Sequence, residues 1–172
     1  MAIREAVSTP ASAPVEDGDA DDDGYDSGMA NPFTVTFDAT DAPALARFWQ
    51  LVLGYVEQPP PPGFTSWEGF AAANNIPAEQ FDNYGGAIDP SGVGPRLLFL
   101  KVPERKTAKN RMHLDVTVTA GQTATAAERA AQLEATAQRL IEAGATEIAR
   151  HDEMGSVWRV MADPEGNEFC IH

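Results

Sequence analysis

The same order of predicted elements, a strand followed by a helix and then by further strands, occurs twice along this sequence. In the first copy, residues 33–38 alternate apolar and polar side chains with the period of a half-buried strand. A helix with one apolar face follows, with Asp41 placed to cap its N-terminus and Gly54 placed to end it. In the second copy, residues 112–118 alternate in the same way, and a helix is predicted over residues 124–143. Each half therefore supplies a sheet with helices on one face only, so the other face is expected to pack against the partner half or to line a cavity.

Further strands complete each half. An apolar run over residues 96–102 predicts the last strand of the first half. In the second half, short strands are predicted near residues 145–151, 155–162 and 167–172. The turn-forming sequence 163–167, Asp-Pro-Glu-Gly-Asn, separates the last two strands.

The chain of 172 residues is long enough for one domain with an appended segment. Residues 1–31 are predicted to be an acidic, disordered extension, because the first 30 residues carry eight acidic side chains against Arg4 alone and few large apolar ones. Either an acidic interaction segment or a solvated extension would have this composition, and we favour the second. Residues 32–172 form the predicted domain, with modules at about 33–102 and 112–172.

Composition excludes several classes of partner. The net charge of −14 disfavours nucleic acid and anionic membranes, both of which attract basic surfaces. Cys170 is the only cysteine, so no intrachain disulfide forms, and no apolar stretch reaches the length of a membrane span. The N-terminus lacks the pattern of a signal peptide. We therefore expect a cytoplasmic protein whose partner is a small molecule.

Strand alternation predicts which side chains face the cavity. Met112, Leu114, Val116 and Val118 are expected to face the helices, which turns their neighbours toward the other face, here called the cup face. The side chains predicted on the cup face are polar, and they are Thr34, Thr36, Asp38, His113, Asp115, Thr117, Glu168, Cys170 and His172. So many titratable groups on one inner face favour a binding or catalytic pocket.

Two of these side chains carry the possible chemistry. His113 is interpreted as a metal ligand, as a metal-free polar contact or general base, or as a histidine satisfied by its neighbours. A catalytic zinc or iron site needs about three protein ligands. His113 and Cys170 supply two, and the third would be His172, Asp115 or Glu168. Cys170 is more simply explained as an inert, buried thiol, because an acidic chain does not favour thiolate.

Aromatic and basic residues give further candidates. Trp158 lies on a strand that leads into the final turn, so it is expected to contact a ligand in the cup. Residues 57–94 are predicted as an insertion, in which Thr65 and Glu68 resemble a capping box for a short helix carrying Trp67 and Phe70. Core packing is the alternative for all three aromatic residues. A basic cluster either docks an anion or is a solvated linker, which we favour, and its members are Arg105, Lys106, Lys109 and Arg111. His151 is predicted in an exposed turn, and His172 is expected to fray at the chain end.

Three segments resemble those of a known superfamily. They are Thr40-Asp41 with the helix to Leu53-Gly54-Tyr55, residues 110–116 with His113, and the closing run 162–171 around Asp163-Pro164-Glu165-Gly166-Asn167. Together they resemble the glyoxalase, bleomycin-resistance and extradiol-dioxygenase superfamily, also called the vicinal-oxygen-chelate superfamily, and its bacterial glyoxalase-like subgroup. The resemblance implies an α+β fold of two βαβββ modules, which form a cupped, mostly antiparallel sheet with helices on the outer face.

The resemblance also implies a divalent metal in the cup of the metal-dependent members. Carried over position by position, its ligands fall on Thr34, on Leu98 or Leu100, on His113 and on Cys170. Only His113 matches the family's residue type, so the ligand set is incomplete here.

Two functions remain open. One is a protein that binds a small organic compound without the full metal site, through Thr34, Thr36, Asp115, Trp158 and Cys170. The other is a metal-dependent lyase, isomerase or dioxygenase in which His113 is catalytic. The resemblance also implies a homodimer.

Overall fold

A computed structural model describes residues 31–119, 121, 124–153 and 156–172. The first module begins with strand β1 (Thr34–Ala39), helix α1 (Ala42–Leu53) and the short strand β2 (Val56–Glu57). The insertion follows as helix α2 (Trp67–Ala73) and a 3-10 helix (Ala78–Asn83). Strands β3 (Tyr84–Ile88) and β4 (Arg96–Lys101) complete this module. The acidic extension predicted over residues 1–31 lies outside the described residues, except for Asn31.

The second module repeats the same plan without the insertion. Its elements are β5 (Asp115–Val116), α3 (Ala126–Glu142), β6 (Thr146–Glu153), β7 (Ser156–Ala162) and β8 (Glu168–Ile171). The strand orders are β1-β4-β3-β2 and β5-β8-β7-β6, so each module has its first strand paired with its last. That pair is parallel and the other pairs are antiparallel. The predicted fold of two βαβββ modules is confirmed, as two four-stranded mixed sheets that do not close into a barrel.

The ends of the helices follow from local sequence. Asp41 accepts the backbone N–H of Ala44 at the start of α1, and Gly54 ends the helix with φ +69°, a left-handed conformation that favours glycine. The predicted cap of α2 is wrong by one residue, because Ser66 rather than Thr65 accepts the N–H of Gly69. A capping box is present instead at α3, between Thr125 and Glu128.

Alternate residues of the strands divide into a core face and a cup face. Leu97 and Phe99 of β4 are fully buried beneath α1, and Phe169 and Ile171 of β8 are fully buried at the matching positions of the second sheet. The prediction that Met112 faces the helices is wrong, because its side chain is 68% exposed. Met112 precedes β5, so the alternation of a strand does not yet apply to it.

The two modules share one hydrophobic core, and a buried carboxylate joins them. The indole Nε1–H of Trp49, on α1, donates to Asp163 Oδ2 of the second module's closing turn at 3.1 Å. Asp163 is only 3% exposed and also accepts the backbone N–H groups of Glu165 and Asn167. Trp49 packs on Phe169 with ring centroids 5.1 Å apart. The turn that closes the second module is therefore fixed to the first helix of the first module.

The same turn reaches the start of α1. The carboxylate of Glu165 accepts the backbone N–H groups of Thr40 and Asp41 at 2.7 and 2.8 Å. Helix N-termini carry partial positive charge and unpaired N–H groups, so a carboxylate there is stabilising. This contact fixes the end of β1 beside the closing turn.

Helix α3 is held on the second sheet by a buried cation. Arg159 of β7 forms ion pairs with Glu134 of α3 and Glu147 of β6. Hydrogen bonds from Arg150 and Arg159 keep the pKa of Glu147 below its usual value. The helix therefore depends on a charged contact as well as on its apolar face, in which Leu133, Ala137 and Leu140 are buried and Ile141 is 39% exposed.

We predict that Asp163→Ala lowers the free energy of unfolding by about 3 kcal/mol, because it leaves the Trp49 indole and two backbone N–H groups without their acceptor. Asp152→Ala, at an exposed aspartate of β6, is the control and should stay within about 0.5 kcal/mol of the unsubstituted protein. Urea unfolding followed by tryptophan fluorescence measures both. Equal stability of the two variants would show that the buried carboxylate does not join the modules energetically.

Candidate functional site

The cup face of the first sheet is polar along β1. Thr34, Thr36 and Asp38 are exposed, whereas Val35 and Phe37 pack against the core. On β4, Leu98 and Leu100 share the cup face, since they pair in register with Thr36 and Asp38. Neither leucine can bind a metal, and Thr34 offers only a neutral hydroxyl. The first module therefore contributes polar contacts rather than strong metal ligands.

A groove of about 500 Å³ lies where β1 meets the start of the second module. The side chains that line it include those of Thr36, Asp38, Arg105, Lys106, His113 and Glu168. This volume is in the range of ligand pockets in proteins. The groove brings together two of the residues predicted for the site, Thr36 and His113.

One side of this groove is closed by an ion pair. Lys106 Nζ lies 3.0 Å from Glu168 Oε2, and the same carboxylate oxygen accepts the backbone N–H of Asn110 at 3.1 Å. These hydrogen bonds lower the pKa of Glu168 to about 2. Glu168 is thus committed to the linker between the modules and does not join His113 as a third ligand. Within the basic cluster, Lys106 thus pairs with Glu168, and all four members of the cluster are exposed in the linker between the modules.

A second set of side chains meets on the cup face of the other sheet. His113 Nε2 lies 3.3 Å from Asp115 Oδ1, and donor atoms of His113, Asp115 and Cys170 all lie within 4.8 Å of one another. The parallel register of β5 and β8 creates this cluster, because it pairs Asp115 with Cys170. Among the described residues this is the one group of His, Cys, Asp and Glu side chains close enough to share a metal ion.

The thiol of Cys170 is not an activated nucleophile. Burial raises its pKa, and the nearby carboxylate of Asp115 raises it further through a hydrogen bond and through its charge. Since the thiolate is the reactive form, a raised pKa leaves the thiol protonated and weakly reactive at neutral pH. Cys170 is better suited to a ligand contact, or to a metal that displaces its proton.

A second groove, of about 530 Å³, contains this cluster. Trp158 and His172 line it together with His113, Asp115 and Cys170. The predicted fraying of His172 is wrong, because its backbone pairs with Val116 and Val118 and its imidazole lies 3.3 Å from the Thr117 hydroxyl. His172 is thereby held beside the cluster without being part of it.

An aromatic pair forms part of the same sheet. The rings of His151 and Trp158 stack with centroids 4.7 Å apart and planes inclined by 11°. The prediction of His151 in an exposed turn is wrong, since it belongs to β6 and pairs in register with Trp158 of β7. Pairing the two predicted strands as a tight antiparallel hairpin would have revealed this contact.

The insertion contributes a separate aromatic group. Trp67 and Phe70 pack edge to face at 5.7 Å, and Phe64 packs on Phe70. The indole of Trp67 donates to the carbonyl of Gln58 at 2.9 Å. Neither Trp67 nor Phe70 lines the two grooves, whereas Trp158 lines the second. Of the three aromatic residues predicted as candidates for a ligand contact, Trp158 therefore lies at a groove, whereas Trp67 and Phe70 do not.

The clustered donors fit a divalent metal in number and type. One imidazole, one carboxylate and one sulfur atom would leave an open coordination position, and His113 and Asp115 are accessible to solvent. Only His113 and Cys170 occupy positions that the superfamily resemblance assigns to ligands, and Asp115 is an addition. Thr34 lies on the other sheet, outside this set.

We predict that Asp115→Asn increases the rate of Cys170 alkylation by iodoacetamide several-fold between about pH 7 and 9, because it removes a negative charge that raises the thiol pKa. Cys170 is the only cysteine, so the modified mass reports this site alone. Asp152→Asn is the matched control and should leave the rate unchanged. A rate for Asp115→Asn equal to that of the control would contradict the coupling between Asp115 and Cys170.

Comparison with known proteins places the chain in a family. Among the described residues, no helix is both long and apolar enough to cross a membrane. No curated protein sequence matches the chain. Several solved structures share its fold at low sequence identity.

One is a glyoxalase/bleomycin resistance protein/dioxygenase family enzyme from Burkholderia phytofirmans PsJN, 19% identical over 80% of this chain and 94% of that chain, with a TM-score of 0.52. The fosfomycin resistance protein FosX from Mesorhizobium loti is 12% identical over 84% of this chain and 91% of that chain, with a TM-score of 0.53. A mutant FosX from Listeria monocytogenes, complexed with Mn(II) and 1S,2S-dihydroxypropylphosphonic acid, is 9% identical over 84% and 90%, with a TM-score of 0.54. The sequence model of the glyoxalase-like domain matches residues 34–172. The chain therefore belongs to the glyoxalase-like domain family.

Proposed function

We propose that this protein binds a small organic compound on the polar cup faces of its two sheets, without the full metal site of its superfamily. The observation that carries the proposal is the exposure of polar side chains on β1 and β5 beside grooves of about 500 and 530 Å³. Polar groups along an exposed concave surface can orient a ligand, while nearby aromatic rings supply contact area. Other proteins with this fold bind small molecules, which supports this use of the fold. A shared fold does not by itself identify the ligand.

Trp158 supplies the apolar part of the proposed site. Its ring is backed on one side by His151 and lines the groove that contains the His113, Asp115 and Cys170 side chains. A ring fixed in this way loses little conformational freedom when a flat compound packs on it. Thr36 and Asp115 offer hydrogen-bonding groups at the two grooves. The proposed compound is therefore partly aromatic and partly polar.

The test is a screen of small aromatic compounds by thermal shift, with and without EDTA, followed by Kd measurements on compounds that stabilise the protein. We expect binding that survives EDTA and weakens roughly ten-fold in Trp158→Leu, because the stacking surface is lost. Phe64→Leu is the control and should retain the Kd of the unsubstituted protein, since Phe64 lies outside both grooves. Equal Kd values for both variants would contradict the proposed site.

A second candidate function is that of a metal-dependent lyase, isomerase or dioxygenase, and the observation that favours it is the approach of three donor atoms within 4.8 Å. His113, Asp115 and Cys170 would hold the ion. A bound divalent metal would act as a Lewis acid toward a substrate oxygen. His113 would serve as a ligand and not as a general base in that case, because its imidazole nitrogen would be occupied.

This candidate predicts that untagged protein contains stoichiometric metal, or that it binds zinc with a Kd that rises about ten-fold or more in His113→Ala. Affinity should also increase with pH, because zinc must displace the proton of a thiol whose pKa is raised. Elemental analysis and equilibrium dialysis measure these quantities. His151→Ala is the control. Absence of metal together with unchanged zinc affinity in His113→Ala would contradict a metal-dependent function.

A further inference from the structure

Arg96, at the start of β4, and Arg129, of α3, are partly buried cations that form no ion pair in the described part of the chain. A terminal nitrogen of Arg129 donates to the backbone carbonyl of Ala124, whereas Arg96 is hydrogen-bonded through Nε alone. Lys106 and Arg159 each contact a carboxylate. In a protein with 26 acidic residues and a net charge of −14, a partly buried arginine without a carboxylate partner requires an explanation.

The register of the sheet places Arg96 on the cup face. Leu97 and Phe99 are 1% and 0% exposed beneath α1, so the alternate residues Arg96 and Leu98 lie on the opposite face. Arg96 pairs with Thr34 of β1, whose exposed side chain is on the same face. Thr36 follows about 7 Å further along the strand and lines the first groove. Arg96 lines neither groove, but it lies on the same face of the sheet as Thr36, two register positions along β1 from it.

The side chain of Arg96 is held in position by a neutral group. Its Nε–H donates to the side-chain oxygen of Gln58 at 2.7 Å. Gln58 can lie there because Gly86 has no side chain: a Cβ at Gly86 would come within 2.7 Å of the Gln58 Oε1 and 3.0 Å of its Cβ. The backbone of Gln58 is fixed as well, since its N–H donates to the carbonyl of Gly86 and its carbonyl accepts the indole of Trp67.

This arrangement leaves the terminal nitrogens of the guanidinium available. Gln58 occupies Nε, and the two Nη groups have no hydrogen-bond partner in the described part of the chain. Their N–H groups form a planar fork that matches the two oxygens of a carboxylate or the oxygens of a phosphoryl group. Partial burial strengthens such a contact because solvent screens it less. Arginine remains protonated even though burial lowers its pKa here.

We propose that Arg96, held by Gln58 and accompanied by Thr34, binds an anionic group of the compound that occupies the cup, so that the ligand is an organic anion carrying a carboxylate, phosphonate or phosphate. This proposal rests on the proposed small-molecule site and adds the charge of its ligand. The guanidinium fixes the anionic end, and the remainder of the molecule extends along β1 toward the groove at Thr36.

The test compares phenylphosphonate, benzoate and the neutral analogue benzyl alcohol on the full chain at constant ionic strength. Kd values come from NMR titration, with the Arg96 Nε–Hε resonance, assigned by its loss in Arg96→Lys, as the local probe. We expect one or both anions to shift this resonance saturably and to bind at least about ten-fold more tightly than benzyl alcohol, as a charge-assisted contact of about 1.5 kcal/mol or more would give. The stronger of the two anions identifies the preferred acid group.

Arg96→Gln should weaken anion binding about ten-fold while leaving benzyl alcohol unchanged, and Arg96→Lys should fall between, since it keeps the charge but loses the fork. Arg47→Gln, at an exposed arginine of α1 that lines neither groove, is the matched control for loss of one positive charge and should change the Kd less than two-fold. Thermal unfolding shows which variants are folded, and the resonance of the unsubstituted protein tests the contact without any variant.

The proposal is overturned if the anions leave the Arg96 resonance unmoved, or if Arg96→Gln and Arg47→Gln weaken binding equally. Compounds that bind through Trp158 regardless of charge would then keep the proposed function while removing the anion site. Conversely, anions could bind at Arg96 with the same Kd in Trp158→Leu, while no neutral aromatic compound binds. That result would contradict the proposed aromatic pocket and leave the anion site at Arg96 intact.

Discussion

The buried hydrogen bond between the Trp49 indole and the Asp163 carboxylate joins the first module of this molecule to the second. Asp163 is almost inaccessible to solvent, and a buried carboxylate is stable only when hydrogen bonds replace its water. Its donors come from helix α1 of one module and from the closing turn of the other. Because the turn cannot move without losing these bonds, β8 is fixed relative to α1, and the two cores form one cluster through Trp49 and Phe169.

The position of the grooves follows from this connection. Glu165, in the same turn, holds the backbone at the end of β1, and Glu168, just after the turn, holds the linker through Lys106 and Asn110. Three carboxylates within six residues thus fix β1, the linker and the start of β8 around one groove. Each accepts hydrogen bonds, and Glu168 also has a cationic partner in Lys106. The groups on the cup face that remain available for a ligand are those without such partners, above all the Nη groups of Arg96.

Much of the fold could be predicted because its signals are local. Asp41 and Gly54 mark the ends of α1 by residue type, and the alternation at residues 33–38 specifies which side chains of β1 are exposed. The errors occur where a local pattern extends beyond its element. The alternation of residues 112–118 predicts Met112 in a strand that begins three residues later, and the residue types predict a cap at Thr65 where the adjacent Ser66 performs that role. The local sequence predicts a turn at His151, because only the pairing of β6 with β7 extends that strand past it.

The sequence by itself determined the repeated order of strand, helix and further strands and the alternation that exposes the polar side chains of β1, since periodicity and short motifs are read within a few residues of each other. Only the tertiary structure decided which polar residues meet. Asp115 joins His113 and Cys170 because β5 and β8, more than 50 residues apart, pair in one register. Glu168 is removed from that cluster by Lys106, and Arg96 is left without a carboxylate beside Gln58. Contacts between distant segments depend on strand register and on competing partners, and neither is encoded in the spacing of residues along the chain.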